Sequence, residues 1–265
     1  MLARLFAAAL FLAMAPPAVA DDIEVDLELF LAVDVSRSMS PRELEIQRRG
    51  YAEALASDEV INAIERGLLG QIALTYVEWA EIGPKRIIVD WTLIDGREAA
   101  ETFASKLTAQ FNDALRRTSI SDVLDYAAHS FTENGFESWR TVIDVSGDGP
   151  NNMGLPVDRV RDRVLKDGVV INGLPLMTKE GLGMQWHLDD LDKYYEACVI
   201  GGPGSFVIPV LEWEEFPAAV RRKLVLEIAG DTPKVVPAQF AEPVDYDCLI
   251  GEKIFEEFMR YWREL

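Results

Sequence analysis

The stretch LFLAVDVSRSM, residues 29–39, runs apolar for five residues and then turns to Asp34, Ser36 and Ser38. The apolar part does not alternate with polar residues, which is typical of a central strand of a parallel sheet, buried on both faces. The three oxygen-bearing side chains follow at every second position, and alternate positions of an extended segment project to the same side. The stretch therefore predicts a buried strand that ends in a group of converging oxygens.

Outward from this stretch, short β-branched and aromatic runs alternate with helical patterns. The alternation indicates an α/β fold with a doubly wound, mostly parallel sheet flanked by helices. Strands are predicted near residues 28–35, 72–79, 86–93, 141–146 and 169–174, with a weak one at 205–210. Helices are predicted near 41–56, 97–112, 121–132, 156–166 and 214–230. Gly83 and Pro84 predict a hairpin turn after the second strand, which would make one edge strand antiparallel.

The C-terminal part departs from this alternation. We expect one domain over residues 21–265, with its core at about 26–210 and a C-terminal helical extension at about 211–265. The terminal helix places apolar residues on one face, which predicts a packing face, with a partner-binding helix as the alternative. These residues are Ile254, Phe255, Phe258, Met259 and Trp262.

The N-terminus has the layout of a secretory signal peptide at residues 1–20. Arg4 precedes an apolar run, and small residues end at Ala20, so the mature chain is expected to begin at Asp21. The run is about ten residues, shorter than the roughly 18 that a spanning helix needs. We therefore expect a periplasmic or secreted protein without a membrane span after cleavage, with a retained membrane anchor as the alternative.

The net charge and the cysteine content limit the classes of partner and the kind of chemistry that this chain is expected to have. The formal net charge of −19 disfavours nucleic acid and anionic lipid as partners. The two cysteines, Cys198 and Cys248, suit one disulfide in an exported chain, with two buried free thiols as the alternative. Both lie beyond the strands that carry the candidate site, so loss of the bridge is expected to leave metal affinity nearly intact. No C-x-x-C motif is present, which disfavours redox catalysis.

Two further loops offer oxygens like those of the first strand. Thr118 precedes a predicted helix, and Asp148 follows the strand that ends near Ser146. Loops at the carboxyl ends of strands line the binding crevice of an open parallel sheet. The candidate set contains no His or Cys, which suits a hard divalent cation such as Mg²⁺ or Mn²⁺ better than zinc. The five candidate metal ligands are Asp34, Ser36, Ser38, Thr118 and Asp148.

With these residues in this order, the chain resembles the von Willebrand factor A domains, including the integrin inserted domains, over roughly residues 26–210. Their metal-ion-dependent adhesion site combines D-x-S-x-S, a threonine in a second loop and an aspartate in a D-G turn. More narrowly, FLAVDVSRSM, YVEWA, SGDGPNN and CVIGGPGSFV resemble an uncharacterised bacterial family of exported proteins of this type.

The resemblance implies an adhesion-type, protein-binding module and no enzyme. Serine and threonine hydroxyls would bind the metal directly, while the aspartates often act through water. A divalent cation, Mg²⁺ first with Mn²⁺ or Ca²⁺ as alternatives, would then capture an Asp or Glu carboxylate of a protein partner. No activity comes with the narrower resemblance.

Other interpretations of the same residues remain open. The serines alone are typical of turns and helix caps. A metal-assisted hydrolase using Asp34 and Asp148 is the alternative function, although a serine, Ser36, stands where haloacid dehalogenase-type hydrolases keep their acid. The two histidines, His129 and His187, lie in no recognisable nucleophile elbow. We expect Asp144 to be structural or to act behind the ligands. Asn151 and Asn152 are expected to be solvated loop residues, with contact to a ligand as the alternative.

Overall fold

The computed structural model describes residues 22–109, 114–178, 188–230 and 246–263. The predicted signal peptide, Asp21, His187 and the end of the predicted helix 97–112 lie outside the described residues, as does the side chain of Trp262. Among the helices of the described ranges, none is long and apolar enough to cross a membrane.

Seven strands are present in the described part of the chain: β1 (Ile23–Val25), β2 (Glu28–Asp34), β3 (Ile72–Trp79), β4 (Arg86–Ile94), β5 (Phe136–Ser138), β6 (Thr141–Gly147) and β7 (Val170–Pro175). Five of them form one central sheet of order β4-β3-β2-β6-β7. Neighbours in this sheet are parallel except β3 and β4, which form the antiparallel edge hairpin that the sequence predicts. The small strands β1 and β5 pair separately, and the sequence patterns do not predict them.

The helices cover both faces of the sheet, so the fold is the predicted doubly wound α/β type. In the described ranges they are α1 (Pro41–Leu55), α2 (Asp58–Glu65), α3 (Arg97–Thr108), α4 (Ile120–Ser130), α5 (Val157–Val164), α6 (Leu191–Tyr194), α7 (Phe216–Ala229) and α8 (Ile250–Arg263). A π-helical turn, Tyr195–Val199, continues α6. Helix α2 is absent from the sequence prediction.

The central strand β2 is buried along its whole length, as its unbroken apolar run predicts. Leu29, Leu31 and Val33 pack into one core with α1, α2, α3 and α7. Phe30 and Ala32 pack into the other core with α4, α5 and the segment that includes α6. Helices therefore cover both faces of β2, and the strand leads at its carboxyl end directly to the candidate site.

Two segments differ from the sequence prediction. The weak strand at 205–210 forms isolated bridges beside β7, in which Val207 pairs with Gly173 and Val210 pairs with Leu176. The N–H groups of Ile208 and Val210 donate to the carbonyls of Gly173 and Pro175 in β7, at 3.0 Å each, while Pro209 between them has no N–H to offer on the side away from β7. Helix α7, in the expected extension, buries Phe216 and other apolar residues in the same core as β2. The core is therefore continuous across residue 210.

Candidate metal-binding site

The candidate residues meet at the carboxyl edge of the sheet. Asp34 is the last residue of β2, and Asp148 follows β6 directly. The two strands are parallel neighbours in which Val33 pairs with Ser146, so their ends emerge side by side. Thr118 lies two residues before α4, at the same edge. Parallel pairing thus brings the loops after β2 and β6 together, and the bond from the Leu115 N–H to the Val35 carbonyl, at 2.8 Å, holds the loop of Thr118 beside them.

Direct contacts join four of the five candidates. The Ser38 hydroxyl donates to Asp148 Oδ1 at 2.8 Å, and the Ser36 hydroxyl reaches the same oxygen at 3.4 Å. The hydroxyl oxygens of Ser36 and Ser38 lie 3.0 Å apart. The Ser36 backbone N–H donates to Asp34 Oδ1 at 2.7 Å. These contacts form a compact oxygen cluster from the first and third loops.

Helix α1 begins directly after the loop of Ser36 and Ser38 and holds the C-terminal end of that loop in place. Ser40 caps the helix by accepting from the Glu43 N–H at 3.3 Å, and Glu43 Oε2 accepts from the Ser40 N–H at 2.6 Å. Pro41 occupies the first helical turn, where its missing N–H costs nothing. Glu43 Oε1 also accepts from Trp213 Nε1 at 2.9 Å. The capping box, worth about 1 kcal/mol, thereby fixes the loop that carries both serines.

The second oxygen of Asp34 is the feature that best fits a cation. Asp34 Oδ2 is buried and has no hydrogen-bond partner among the described residues. A buried carboxylate oxygen without a donor is costly unless an ion or water binds it. The described residues hold no group of three or more His, Cys, Asp and Glu side chains arranged for a metal. The candidate set has two carboxylates and three hydroxyls, a composition that suits a hard cation.

Burial makes the site electrostatically unfavourable for two bare carboxylates. It raises the pKa of Asp34 well above its ordinary range, and the neighbouring Asp148 raises that pKa further. Burial raises the pKa of Asp148 to about 6, with Glu43 adding to the shift against the hydrogen bond from Ser38. Two like charges in one desolvated site oppose each other, whereas a dication would reverse the effect.

The backbone of Thr118, the fifth candidate, is tied to the loop that follows Asp148. Its N–H donates to Asn152 Oδ1 at 3.1 Å, and its carbonyl accepts from the Asn152 N–H at 2.9 Å. Arg117, directly before it, has a φ of 64° in the left-handed region that few non-glycine residues adopt. The loop of Thr118 is therefore held in a specific conformation against the loop of Asp148.

Asn151 and Asn152 are not the solvated residues expected from the sequence. Asn151 is fully buried, its Oδ1 accepts from the Ser121 N–H at 3.0 Å, and its own N–H donates to the Tyr194 hydroxyl at 3.1 Å. Together with Asn152 it ties the Asp148 loop to the start of α4. A pair of asparagines after the S-G-D-G turn is the signal that could have revealed this role, because asparagine side chains bond readily to loop backbones.

Asp144 lies behind the ligands in a buried charge cluster, a role that the sequence left open. Its Oδ1 lies 2.7 Å from Nζ of Lys223, and neither side chain is more than 1% exposed. Lys223 also pairs with Glu227, which accepts from Asn172 Nδ2 at 2.9 Å. Sequence patterns did not reveal Lys223 or Glu227, which lie on a helix of mixed polarity. The cluster joins α7 to β6, the strand that leads to Asp148.

Cys198 and Cys248 form a disulfide, with their Cα atoms 5.5 Å apart. Cys198 is buried in the π-helical turn, and Cys248 lies two residues before α8. The disulfide therefore ties the start of α8 to the π-helical turn that continues α6.

Solved structures share this fold at low sequence identity. Proximal thread matrix protein 1 from the mussel byssus aligns with a TM-score of 0.58 and 14% identity over 79% of this chain and 49% of that chain. A second structure of that protein, with a zinc-occupied MIDAS motif, has a TM-score of 0.54, 14% identity and the same coverages. The pilus adhesin SpaC from Lactobacillus rhamnosus GG has a TM-score of 0.53 and 10% identity over 78% of this chain and 31% of that chain.

The chain thus spans half or less of the length of these structures. No curated protein matches the sequence. A family model with the description "Protein of unknown function (DUF1194)" matches residues 24–232, from β1 to just beyond α7. Because the match covers most of the chain, the protein belongs to this DUF1194 family, and its α/β fold is the one that the solved structures above share.

Proposed function

We propose that the protein is an exported, adhesion-type binding module that captures a carboxylate of a protein partner through a divalent cation. The cation is Mg²⁺, with Mn²⁺ or Ca²⁺ as alternatives, and its ligands are the oxygens of Asp34, Ser36, Ser38, Thr118 and Asp148. The protein has no catalytic turnover of its own.

One observation carries the proposal. The side chains of Ser36 and Ser38 converge on Asp148 while Asp34 Oδ2, at the end of the neighbouring strand, is buried with no partner among the described residues. A turn-forming role for the serines explains their contacts but leaves that oxygen unsatisfied. A hard cation bound among these oxygens would satisfy it.

The composition of the ligand set explains why a bound cation would seek a partner. Serine and threonine hydroxyls are neutral ligands, so they hold a dication without cancelling its charge. A bound cation supplies an electrophilic position that attracts an external carboxylate. Asp34 and Asp148 anchor the cation, and the capped loop of Ser36 and Ser38 keeps the hydroxyls facing it. The net charge of −19 would otherwise repel an acidic partner, so capture of its carboxylate depends on the cation.

The solved structures that share the fold support the same class of function. The mussel protein has a structure with a zinc-occupied MIDAS motif, and SpaC is a pilus adhesin. An exported location agrees with the disulfide, because such bonds persist in oxidising compartments. Zn²⁺ is tested beside the other cations because zinc occupies the MIDAS motif of the mussel protein, although a ligand set made only of oxygens favours harder cations.

A metal-assisted hydrolase is the second candidate. The pKa of Asp148, raised to about 6, favours it because a general base works best near the operating pH. Against it, Asp148 Oδ1 already accepts from Ser38, and the side chain of His129 is 79% exposed at the end of α4. A screen for phosphatase, esterase and peptidase activity with added metal separates the two, since a binding module gives none.

Calorimetric titration of the metal-stripped protein with Mg²⁺, Mn²⁺, Ca²⁺ and Zn²⁺ tests the proposal. We expect one site per chain and its loss in the Asp34→Asn/Asp148→Asn double variant. The matched control is Asp58→Asn/Asp162→Asn, which removes the same charge from exposed positions. Binding by the site double variant equal to that of the wild type would show that the site lies elsewhere.

A further inference from the structure

The C-terminal helix α8 contacts both loops that flank the candidate site. Glu252 Oε1 accepts from Asn151 Nδ2 at 2.7 Å, and Asn151 belongs to the loop of Asp148. The Arg117 guanidinium lies 4.7 Å from the centre of the Phe255 ring, and Arg117 directly precedes Thr118. One helix thus touches the second and third ligand loops at the same time.

The approach of α8 to the Asp148 loop leaves no room for a side chain. A Cβ atom at Gly251 would lie 2.1 Å from the carbonyl oxygen of Asn151 and 3.0 Å from the Cβ of Pro150. The nearest of these atoms is backbone, so it cannot rotate away. Glycine at this position lets the helix rest directly on the loop.

A covalent bond fixes α8 in this position. Cys248, just before the helix, is joined to Cys198 in the π-helical turn. That turn continues directly from Tyr194, whose hydroxyl accepts the Asn151 N–H at 3.1 Å. Tyr246 adds a bond from its hydroxyl to Asp190 Oδ1 at 2.9 Å. The Asn151 loop is therefore held by Tyr194 on one side and by α8 on another, with the disulfide joining the two supports.

The brace lies partly outside the family match. The match ends at residue 232, so Cys198 falls within it, whereas Cys248 and α8 lie beyond it. The sequence predicted metal affinity to be nearly independent of the bridge, because both cysteines lie beyond the strands that carry the candidate site. The contacts of Gly251 and Glu252 indicate the opposite.

We propose that α8 is a disulfide-tethered brace that holds the loops of Asp148 and Thr118 in the metal-binding conformation. The proposal rests on the proposed function of the site. A loop that is already ordered does not lose conformational entropy when the cation binds, so the brace raises metal affinity. Metal affinity then depends on the Cys198–Cys248 bond, on Gly251 and on Glu252, although none of them is a ligand.

Three variants remove the brace in different ways. Cys198→Ser/Cys248→Ser removes the tether, Glu252→Ala removes the acceptor that α8 offers to Asn151 Nδ2, and Gly251→Ala forces the helix off the loop. Glu257→Ala, at an exposed position of the same helix, is the matched control. We expect Mn²⁺ affinity, measured by calorimetry on folded protein, to fall by about fivefold or more in the three brace variants. The control should stay within about twofold of the wild type, and equal affinity in all four variants would overturn the proposal.

Hydrogen exchange of the metal-free proteins gives a readout that needs no cation. We expect the amides of Asn151 and Asn152 to exchange faster in Glu252→Ala and in the disulfide double variant than in the wild type. Unchanged exchange at these amides would overturn the brace whatever the metal affinities are. A wild-type protein that binds none of the four metal ions would overturn the proposed function instead, and the exchange data would still decide whether α8 orders the loop.

Discussion

The Ser38 hydroxyl donates to Asp148 Oδ1 across 2.8 Å, although the two residues are 110 positions apart in the chain. The bond joins the loop after β2 to the loop after β6, and it brings a neutral hydroxyl into direct contact with a buried carboxylate.

Removing the carboxylates should abolish the effect of metal on stability. Asp34→Asn keeps the shape of the side chain and an oxygen for the Ser36 N–H, but removes a charge that repels Asp148. In chelator, the variant should melt at or above the temperature of the wild type. Wild-type protein with metal at 100 times its Kd should gain about 2.7 kcal/mol. Thermal scans with and without Mn²⁺ measure both effects, and a metal-induced shift retained in the variant would contradict the prediction.

Thr118→Ala should weaken metal binding less than loss of either carboxylate. The substitution removes one neutral oxygen that water can replace, and the backbone bonds of Thr118 to Asn152 remain. We expect about a tenfold loss of metal affinity, equal to about 1.4 kcal/mol. Calorimetric titration compares it with Asp148→Asn. A larger loss for Thr118→Ala than for Asp148→Asn would show that the ligand roles are assigned incorrectly.

Gly147→Ala should damage the site from behind. The added Cβ would lie 2.8 Å from the Tyr195 hydroxyl and 3.0 Å from Asp34 Oδ2, so the aspartate must shift. Overpacking of this kind costs about 1 to 3 kcal/mol of stability, and metal affinity should fall with it.

Gly149→Ala is the matched control, because its Cβ meets nothing within 4 Å. Chemical denaturation and metal titration of both variants measure the two effects. Equal metal affinities in the two glycine variants would contradict the close approach at Gly147.

The buried cluster below the site should make stability depend on pH. Burial raises the pKa of Glu227 from its ordinary value of 4.5 to about 7, and Asp144 adds to the shift while Lys223 opposes it. Between pH 4.5 and about pH 7, Glu227 is therefore protonated in the folded protein and deprotonated in the unfolded chain. The protonated Glu227 stabilises the folded state fully below pH 4.5, the ordinary pKa that applies to the unfolded chain. This stabilisation is lost as the pH rises through about 7, the pKa in the folded protein.

Denaturant unfolding from pH 5 to pH 8 tests this dependence. Relative to Glu227→Gln, which cannot titrate, the wild type should lose about 2 to 3 kcal/mol across that range. Glu101→Gln, an exposed acid, should keep the wild-type dependence. A stability difference between the wild type and Glu227→Gln that stays constant with pH would refute a titrating Glu227.

Local patterns predicted most of the sheet, but they failed where pairing is irregular or isolated. The strands at 72–79 and 86–93 and their hairpin were predicted from β-branched runs and from Gly83 and Pro84. Strands β1 and β5 have three residues each, too few for a periodic signal. The bridges of Val207 and Val210 depend on the neighbouring edge of β7, which local sequence does not show.

The sequence by itself determined the α/β class and predicted the candidate ligand set, because an unbroken apolar strand and the two-residue spacing of D-x-S-x-S are local patterns, to which the family resemblance added Thr118 and Asp148. Only the tertiary structure decided that Asn151 is a buried connector, that Lys223 and Glu227 lie beneath the site, and that α8 rests on its loops. Each of these depends on side chains far apart in sequence, such as Asn151 and Glu252, 101 positions apart. The polar side chains involved look the same in a local pattern whether water or a distant partner satisfies them, and folding alone decides which one does.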